Sequence, residues 1–225
     1  MDTLAGIEVR VRRYLHESTA STSYWDQNFV RQLINQNYRR RCSQLIMAFE
    51  GWFVNIAQRN IVASQAQYAF PDGFLRLQKL EIVRSDGRTV PITRFERHDT
   101  MNPVEGESGD QYAPNYRLIG NGFTLEPKPI ETVTNGLQLE YAGVPAALSA
   151  DGDSFHPSFP EIFEELIVLD AAVSAFDAEA AQEAGVMRSL LRLRAEWELD
   201  WDRFIDQRAI SRQEIVPFVT HYEDS

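Results

Sequence analysis

The chain has 225 residues, 44% of them apolar and 24% charged, so it carries material for one large domain or two small ones with a sizeable core. With 33 acidic against 22 basic residues its net charge is −11, which argues against an electrostatic grip on nucleic-acid phosphates as the main role. A single cysteine excludes a disulfide framework and a cysteine-based zinc site, and no apolar run approaches the length that spans a bilayer. The opening Met1-Asp-Thr-Leu lacks the basic start and apolar centre of a signal peptide, and with the lone Cys42 it points to folding in a reducing cytoplasm. Almost every basic residue is arginine, Lys79 and Lys128 excepted. Arginine is favoured at protein interfaces, although codon usage explains the bias equally well.

In chain order, Leu4, Ile7, Val11 and Tyr14 predict a short helix that ends in the Ser/Thr-rich link Ser18 to Ser23. Ser23 with Asp26 predicts a second helix start, and Val30, Ile34, Tyr38, Cys42, Leu45 and Phe49 mark a long helix that Gly51 ends. On that helix Arg39, Arg40 and Arg41 fan over most of the circumference, which favours a solvated or acid-paired face over a nucleic-acid patch. From Trp52 the pattern changes to alternation. Phe53 to Ile56 and Ile61-Val62 read as a first hairpin or bent strand, and Tyr68 and Phe70 alternate before the turn Pro71-Asp-Gly73. Leu75 and Leu77 are odd-numbered while Leu80 and Ile82 are even, so this strand needs a bulge near Gln78-Lys79. Asp86-Gly87 predicts a tight hairpin leading to Val90 and Ile92, and Arg97 to Pro114 reads as an exposed loop. A meander follows in Tyr116/Leu118, Phe123/Leu125 and Leu137/Leu139/Tyr141, with turns at Gly120-Asn-Gly122 and Asn135-Gly136.

The link Pro145 to Pro157 returns the chain to helix. Ser158-Phe-Pro-Glu161 has the form of a capping box with Pro160 in the first turn. Ile162, Leu166, Leu169, Val173 and Phe176 form one stripe, widened by Phe163 and Ile167, and alanines from Ala171 to Ala181 allow close approach of another helix. Gly185 is the joint to a second stripe of Val186, Leu190, Leu193, Trp197, Trp201 and Phe204. Two tryptophans are a large apolar load for one helix, so Trp197 and Trp201 are candidates for a subunit interface. The fold class read from this order is α+β: a helical bundle from the N- and C-terminal helices (1–51 and 155–208), an inserted antiparallel β module (52–154) and an extended C-terminal tail (209–225). The opening and closing helices must pack on one another to bury their stripes.

Catalytic signals are sparse. His16, His98, His156 and His221 lie in unrelated places without metal-ligand spacing, and no nucleophile elbow, Walker loop or dinucleotide fingerprint is present. Asp151-Gly-Asp153 lacks the distal residues of a calcium loop and reads as a turn, and Glu105 to Asp110 as a solvated acidic loop. No catalytic residue, cofactor or metal is therefore assigned. The tail Ile215-Val216-Pro217-Phe218-Val219 is apolar and too short for a core, which suits a segment that orders on a partner.

One order of motifs carries further. Leu33-Ile-Asn-Gln-Asn-Tyr38-Arg39 on the long helix is followed by Gln67-Tyr68-Ala-Phe70-Pro71-Asp-Gly-Phe74-Leu-Arg76-Leu77, then Pro114-Asn-Tyr116-Arg-Leu118-Ile-Gly120 and Leu125-Glu-Pro127-Lys-Pro129. Leu139-Glu-Tyr141, Pro145 and Phe159-Pro160-Glu-Ile-Phe163-Glu-Glu-Leu166-Ile complete it. This order resembles that of the head-to-tail adaptor (connector) proteins of tailed bacteriophages. The resemblance implies a non-enzymatic virion protein at the head–tail junction, made in the host cytoplasm, forming a ring that is usually a dodecamer. It implies the portal protein and tail or neck proteins as partners, a sealed and extended channel through which DNA passes without sequence-specific binding, and no membrane. By the same analogy Arg208 and Ile215, Val216, Pro217, Phe218 and Val219 are candidates for portal docking, with the β module toward the tail. The alternative is a ligand- or carbohydrate-binding β module on a helical stalk, as in a virion or surface adhesin.

Overall fold

The computed structural model describes residues 2–16, 24–49, 51–84, 87–94, 115–179 and 184–210. Helix α1 (Leu4–Tyr14) starts at Thr3, whose hydroxyl accepts the Gly6 N–H at 3.3 Å, and buries Leu4, Ile7 and Val11. Helix α2 (Gln27–Ala48) is capped by Asp26, its carboxylate accepting the Phe29 N–H at 3.1 Å, while Ser23 lies outside the described residues. The helix also stops earlier than Gly51. Phe49 is already extended (φ −130°, ψ 140°), and its ring meets Phe204 edge-on at 6.1 Å.

Two compact units result, Met1–Phe49 with Pro145–Ser225, and Glu50–Val144. In the second, β1 (Val54–Ile61), β7 (Val133–Gly143), β3 (Phe74–Val83) and β4 (Thr89–Pro91) make an antiparallel sheet in the order β1-β7-β3-β4, and β2 (Gln67–Ala69), β6 (Gly122–Glu126) and β5 (Asn115–Ile119) a second one in the order β2-β6-β5. Their inward side chains, Tyr68, Leu80, Phe123, Leu125, Leu137 and Leu139 among them, share one core. The parity slip in β3 is a register shift between Leu77 and Lys79, as the alternation requires. Val54 to Ile61 is one strand, not a hairpin. Asn135-Gly136 is not a turn between strands either: it lies inside β7, with Asn135 at φ 52° and its N–H bonded to the Asn60 side chain, where β1 and β7 change register. A Cβ on Gly136 would come within 2.8 Å of Val133 and 2.9 Å of Ile61, so the dipeptide makes a bulge that only glycine fits. The β5–β6 turn is Gly120-Asn121, with Gly120 at φ 52°. Gly87 at φ 79° turns β3 into β4, while Asp86 and the segment from Arg97 to Pro114 lie outside the described residues.

In the helical unit α3 (Glu164–Glu179) packs against α1, α2 and α4 (Ala184–Ile210), so the opening and closing helices form one body. Leu166 to Val173 are buried all round, with Ala171, Ala172 and Ala175 fully enclosed, which marks α3 as the central helix rather than an amphipathic surface one. Its entry differs from a capping box. Ser158 lies in a turn, its N–H donating to His156 Nδ1, and Pro160 precedes a 3₁₀ turn (Glu161–Phe163) with no side-chain cap. That turn advances about 120° per residue instead of 100°, which buries Phe163 and leaves Ile162 65% exposed, off the stripe where helical spacing put it. The connection after Pro145 belongs with the helices. Asn35 exchanges hydrogen bonds with both backbone groups of Leu148, and Leu4 N–H donates to the Asp153 carbonyl at 2.6 Å.

Candidate assembly site

Helix α4 is the last described element of the chain. Its attachment is partly ionic. Arg41 on α2 is completely buried, with Nε 2.8 Å from Asp170 of α3 and two nitrogens 2.9 and 2.6 Å from the carboxylate of Glu198 on α4. Arg194, also on α4, reaches the other oxygen of Asp170 at 2.5 Å and Glu198 at 3.4 Å. Two cations and two anions thus compensate one another, the condition for tolerating charge inside a protein. The Arg41 guanidinium also lies 5.4 Å from the centre of the Trp201 ring. The hydrogen bond from Arg41 holds the Glu198 carboxyl below the usual glutamate range against the opposing effect of burial.

The rest of the α4 junction is aromatic. Trp201, 1% exposed, stacks on Phe159 at 6.2 Å and meets Phe163 edge-on at 5.0 Å, with Phe204 closing the cluster. This corrects one expectation: Trp201 belongs to the core of its own chain and is not at the surface, because the 3₁₀ turn brings Phe163 underneath it. Trp197 is half-buried, Leu190 buried, and Val186 and Leu193 intermediate. Arg208 falls in the last turn of α4, and Ile215, Val216, Pro217, Phe218 and Val219 lie outside the described residues.

A second network ties α1 to α2. Glu8 accepts from Arg12 at 3.0 Å, Arg31 at 2.8 Å and Gln27 at 3.1 Å, and Arg31 continues to Asp151 at 2.5 Å. Burial alone would raise the Glu8 carboxyl, but these hydrogen bonds bring it below its ordinary value. In the first turn of α3, Glu165 binds Arg10 and the Tyr14 hydroxyl, and burial with that carboxylate pushes the phenol up to about 12. Asp151-Gly-Asp153 is a turn: Asp153 Oδ2 accepts the N–H groups of Ser149 and Ala150 at 2.6 and 2.8 Å. Cys42 is buried, and burial pushes its thiol up to about 12, which keeps it out of nucleophilic chemistry.

Arg41, Asp170, Arg194 and Glu198 are the residues that sequence reading missed. The signal was present: Arg41 stands three after Tyr38 and four before Leu45, inside the apolar stripe, and Asp170 is the lone charge between Leu166 and Phe176. Of the three consecutive arginines, Arg39 and Arg40 are exposed, and among the described residues Arg41 alone forms an ion pair with an acid. A groove between the end of α1 and the start of α4, lined by Arg13, Tyr14, His16, Val186, Ser189 and Leu193, has a volume of about 410 Å³. Its one hydroxyl of the serine type, on Ser189, donates to the Gly185 carbonyl. Among the described residues no cluster of His, Cys, Asp and Glu fits a metal ion, and no helix is long and apolar enough to cross a membrane.

Exposed apolar side chains are spread over both units, among them Tyr24, Met47 on α2 and Ile162 in the 3₁₀ turn. Leu191 and Leu199 are exposed on α4, and Val54 and Ile56 on β1, the strand at one edge of its sheet. Comparison with known proteins agrees with the motif order: the sequence model of a family described as SU10 adaptor protein matches residues 2–219. No curated protein matches the chain significantly.

Proposed function

Because the chain belongs to the SU10 adaptor protein family, a family of structural head–tail adaptors of bacteriophages, we propose that it forms the ring that joins portal to tail and seals and extends the DNA channel. The observation that carries this reading is the family match over residues 2–219, which takes in both the helical unit and the β unit. In the proposal the subunit works by surfaces set in advance. The Arg41–Asp170–Glu198–Arg194 cluster and the Trp201 pocket hold α4 against α2 and α3, so the chain leaves α4 at a fixed place. From there the segment Ile215 to Val219 orders on the portal, with Arg208 beside it, and the entropy of ordering is offset only where the partner's pockets exist. The ring is a dodecamer, and the half-buried Trp197 contributes to the contact between neighbouring subunits. An acidic subunit suits a channel through which DNA must pass without sticking.

The experiment is a truncation after Arg208, assayed by pull-down on the portal. The truncated protein keeps its far-UV circular dichroism and no longer docks. Normal docking by the truncated protein would refute the assignment of the tail, and a negative-stain image of the portal complex without a ring would refute the function.

A further inference from the structure

The outer face of α4 carries a pattern that the family role does not require. At 100° per residue, Arg188, Leu191, Leu199 and Asp202 all lie within about 40° of the direction of Ala195, roughly 120° round the helix from the buried Trp201. All five are exposed, Leu191 by 43% and Leu199 by 54%. Their spacing is symmetric about Ala195: a leucine four residues away on either side, then arginine seven before and aspartate seven after. Arg188 and Asp202 have no ion-pair partner among the described residues, whereas their neighbours Arg192 with Glu196 and Arg203 with Asp200 are paired along the helix.

We propose that this face binds the same face of a second copy, antiparallel and crossing at Ala195, so that the free protein is a two-fold dimer. An antiparallel pair centred on one residue sets position 195−k of one copy opposite 195+k of the other. Leu191 then faces Leu199 of the second copy, and Arg188 faces Asp202, each contact occurring twice. Leu191, Ala195 and Leu199, with Arg188 and Asp202 beyond them, make one stripe along the helix, and two such stripes stay opposite one another over this length at a shallow crossing angle of about 20°. A small residue at the crossing lets the axes approach closely, and the charges beyond the leucines reject the parallel arrangement, which would bring arginine to arginine. Such a contact uses one patch on both partners and closes at two copies, so it differs from the head-to-tail contact of a ring. It does not depend on the tail or on the portal.

The test uses the full chain without portal. Sedimentation velocity of the wild type gives twice the 25.8 kDa chain mass. R188D and D202R each weaken the dimer about tenfold or more, because each sets like charges opposite one another twice, and R188D/D202R restores it to within about threefold. L191D, at an exposed position, gives a folded monomer by circular dichroism. A195C forms a covalent dimer on mild oxidation, since the two Cα atoms at such a crossing fall in the disulfide range of about 4.4–6.8 Å. Cys42 is buried and does not compete. A monomeric wild type, a double charge swap that fails to restore the dimer, or an assembly in which A195C does not cross-link to itself each overturns the proposal.

Discussion

Replacing Arg41 with methionine tests whether the buried charges hold α4 in place. The substitution keeps the length of the side chain and removes the guanidinium. It leaves Asp170, 3% exposed, with Arg194 alone, and leaves Glu198, whose side chain is 31% exposed, with Arg194 at 3.4 Å. Removing one member of a buried ion pair costs about 3–5 kcal/mol, mostly for the charge left without its partner. Glu198 can turn to water and Asp170 keeps one cation, so the lower end applies, and the lost contact with Trp201 adds no more than about 1 kcal/mol. The expected loss is about 3–4 kcal/mol against a total stability of about 5–15 kcal/mol. Urea unfolding followed by far-UV circular dichroism should show a lower midpoint with an unchanged slope. Adding D170L should recover at least about half of the loss, because Arg194 and Glu198 then remain as a balanced, partly solvated pair and the centre is apolar. A loss below about 1 kcal/mol for R41M, or a double variant worse than the sum of its parts, would refute the reasoning.

The same cluster sets an acid response. The folded Glu198 and Glu8 carboxyls lie below their unfolded value of about 4.3, so their contribution is complete above that pH and fades as the pH falls through the folded values; R41M should flatten the Glu198 part of a stability-versus-pH curve. Glu164 behaves oppositely: burial raises its carboxyl despite the N–H of Asp2, so E164Q should raise stability at pH 7 by up to about 1 kcal/mol, a gain that disappears below about pH 4 in urea titrations. W201A should cost about 3–5 kcal/mol and W197A about 1 kcal/mol or less, with light scattering of portal-bound assemblies showing whether W197A weakens the ring. In the β unit a Cβ on Gly122 would lie 2.3 Å from the Tyr68 carbonyl oxygen, so G122A should cost about 2 kcal/mol or more, whereas G152A, with open space around it, should stay within about 0.5 kcal/mol in thermal melts.

The helices were legible wherever one face is apolar and the other polar, as in α1 and α2, and the bulge in β3 was legible because side-chain parity on a strand admits no other solution. The family was legible from the order of motifs that are individually weak. Local chemistry misled in three places for one reason, that tertiary contacts outweigh it. Ser158 and Glu161 have the residues of a capping box, but Phe159, 1% exposed beside Tyr38 and Trp201, is drawn into the core and leaves Ser158 in a turn. Asn135-Gly136 has hairpin chemistry, yet the same left-handed backbone serves a bulge when both flanking segments already pair with β1. Trp201 looked like surplus apolar area because periodicity shows which face of a helix is apolar and not how much partner waits for it. The ionic cluster was legible only in part: Arg41 and Asp170 each stand out as a charge inside an apolar stripe, but they are 129 residues apart and no local pattern pairs them.

The backbone link between Leu4 and Asp153, with the pairing of Thr3 and Ser154, joins the first residues of the chain to a segment that follows the β unit. During synthesis α1 and α2 therefore emerge with their apolar faces uncovered and stay so until the whole β unit has left the ribosome and α3 arrives. The sheets, complete within one uninterrupted stretch, can settle first, while the two leading helices depend on chaperones or on speed to avoid the wrong neighbour. Slowing translation anywhere between α2 and α3 should therefore harm this protein more than slowing it before α2.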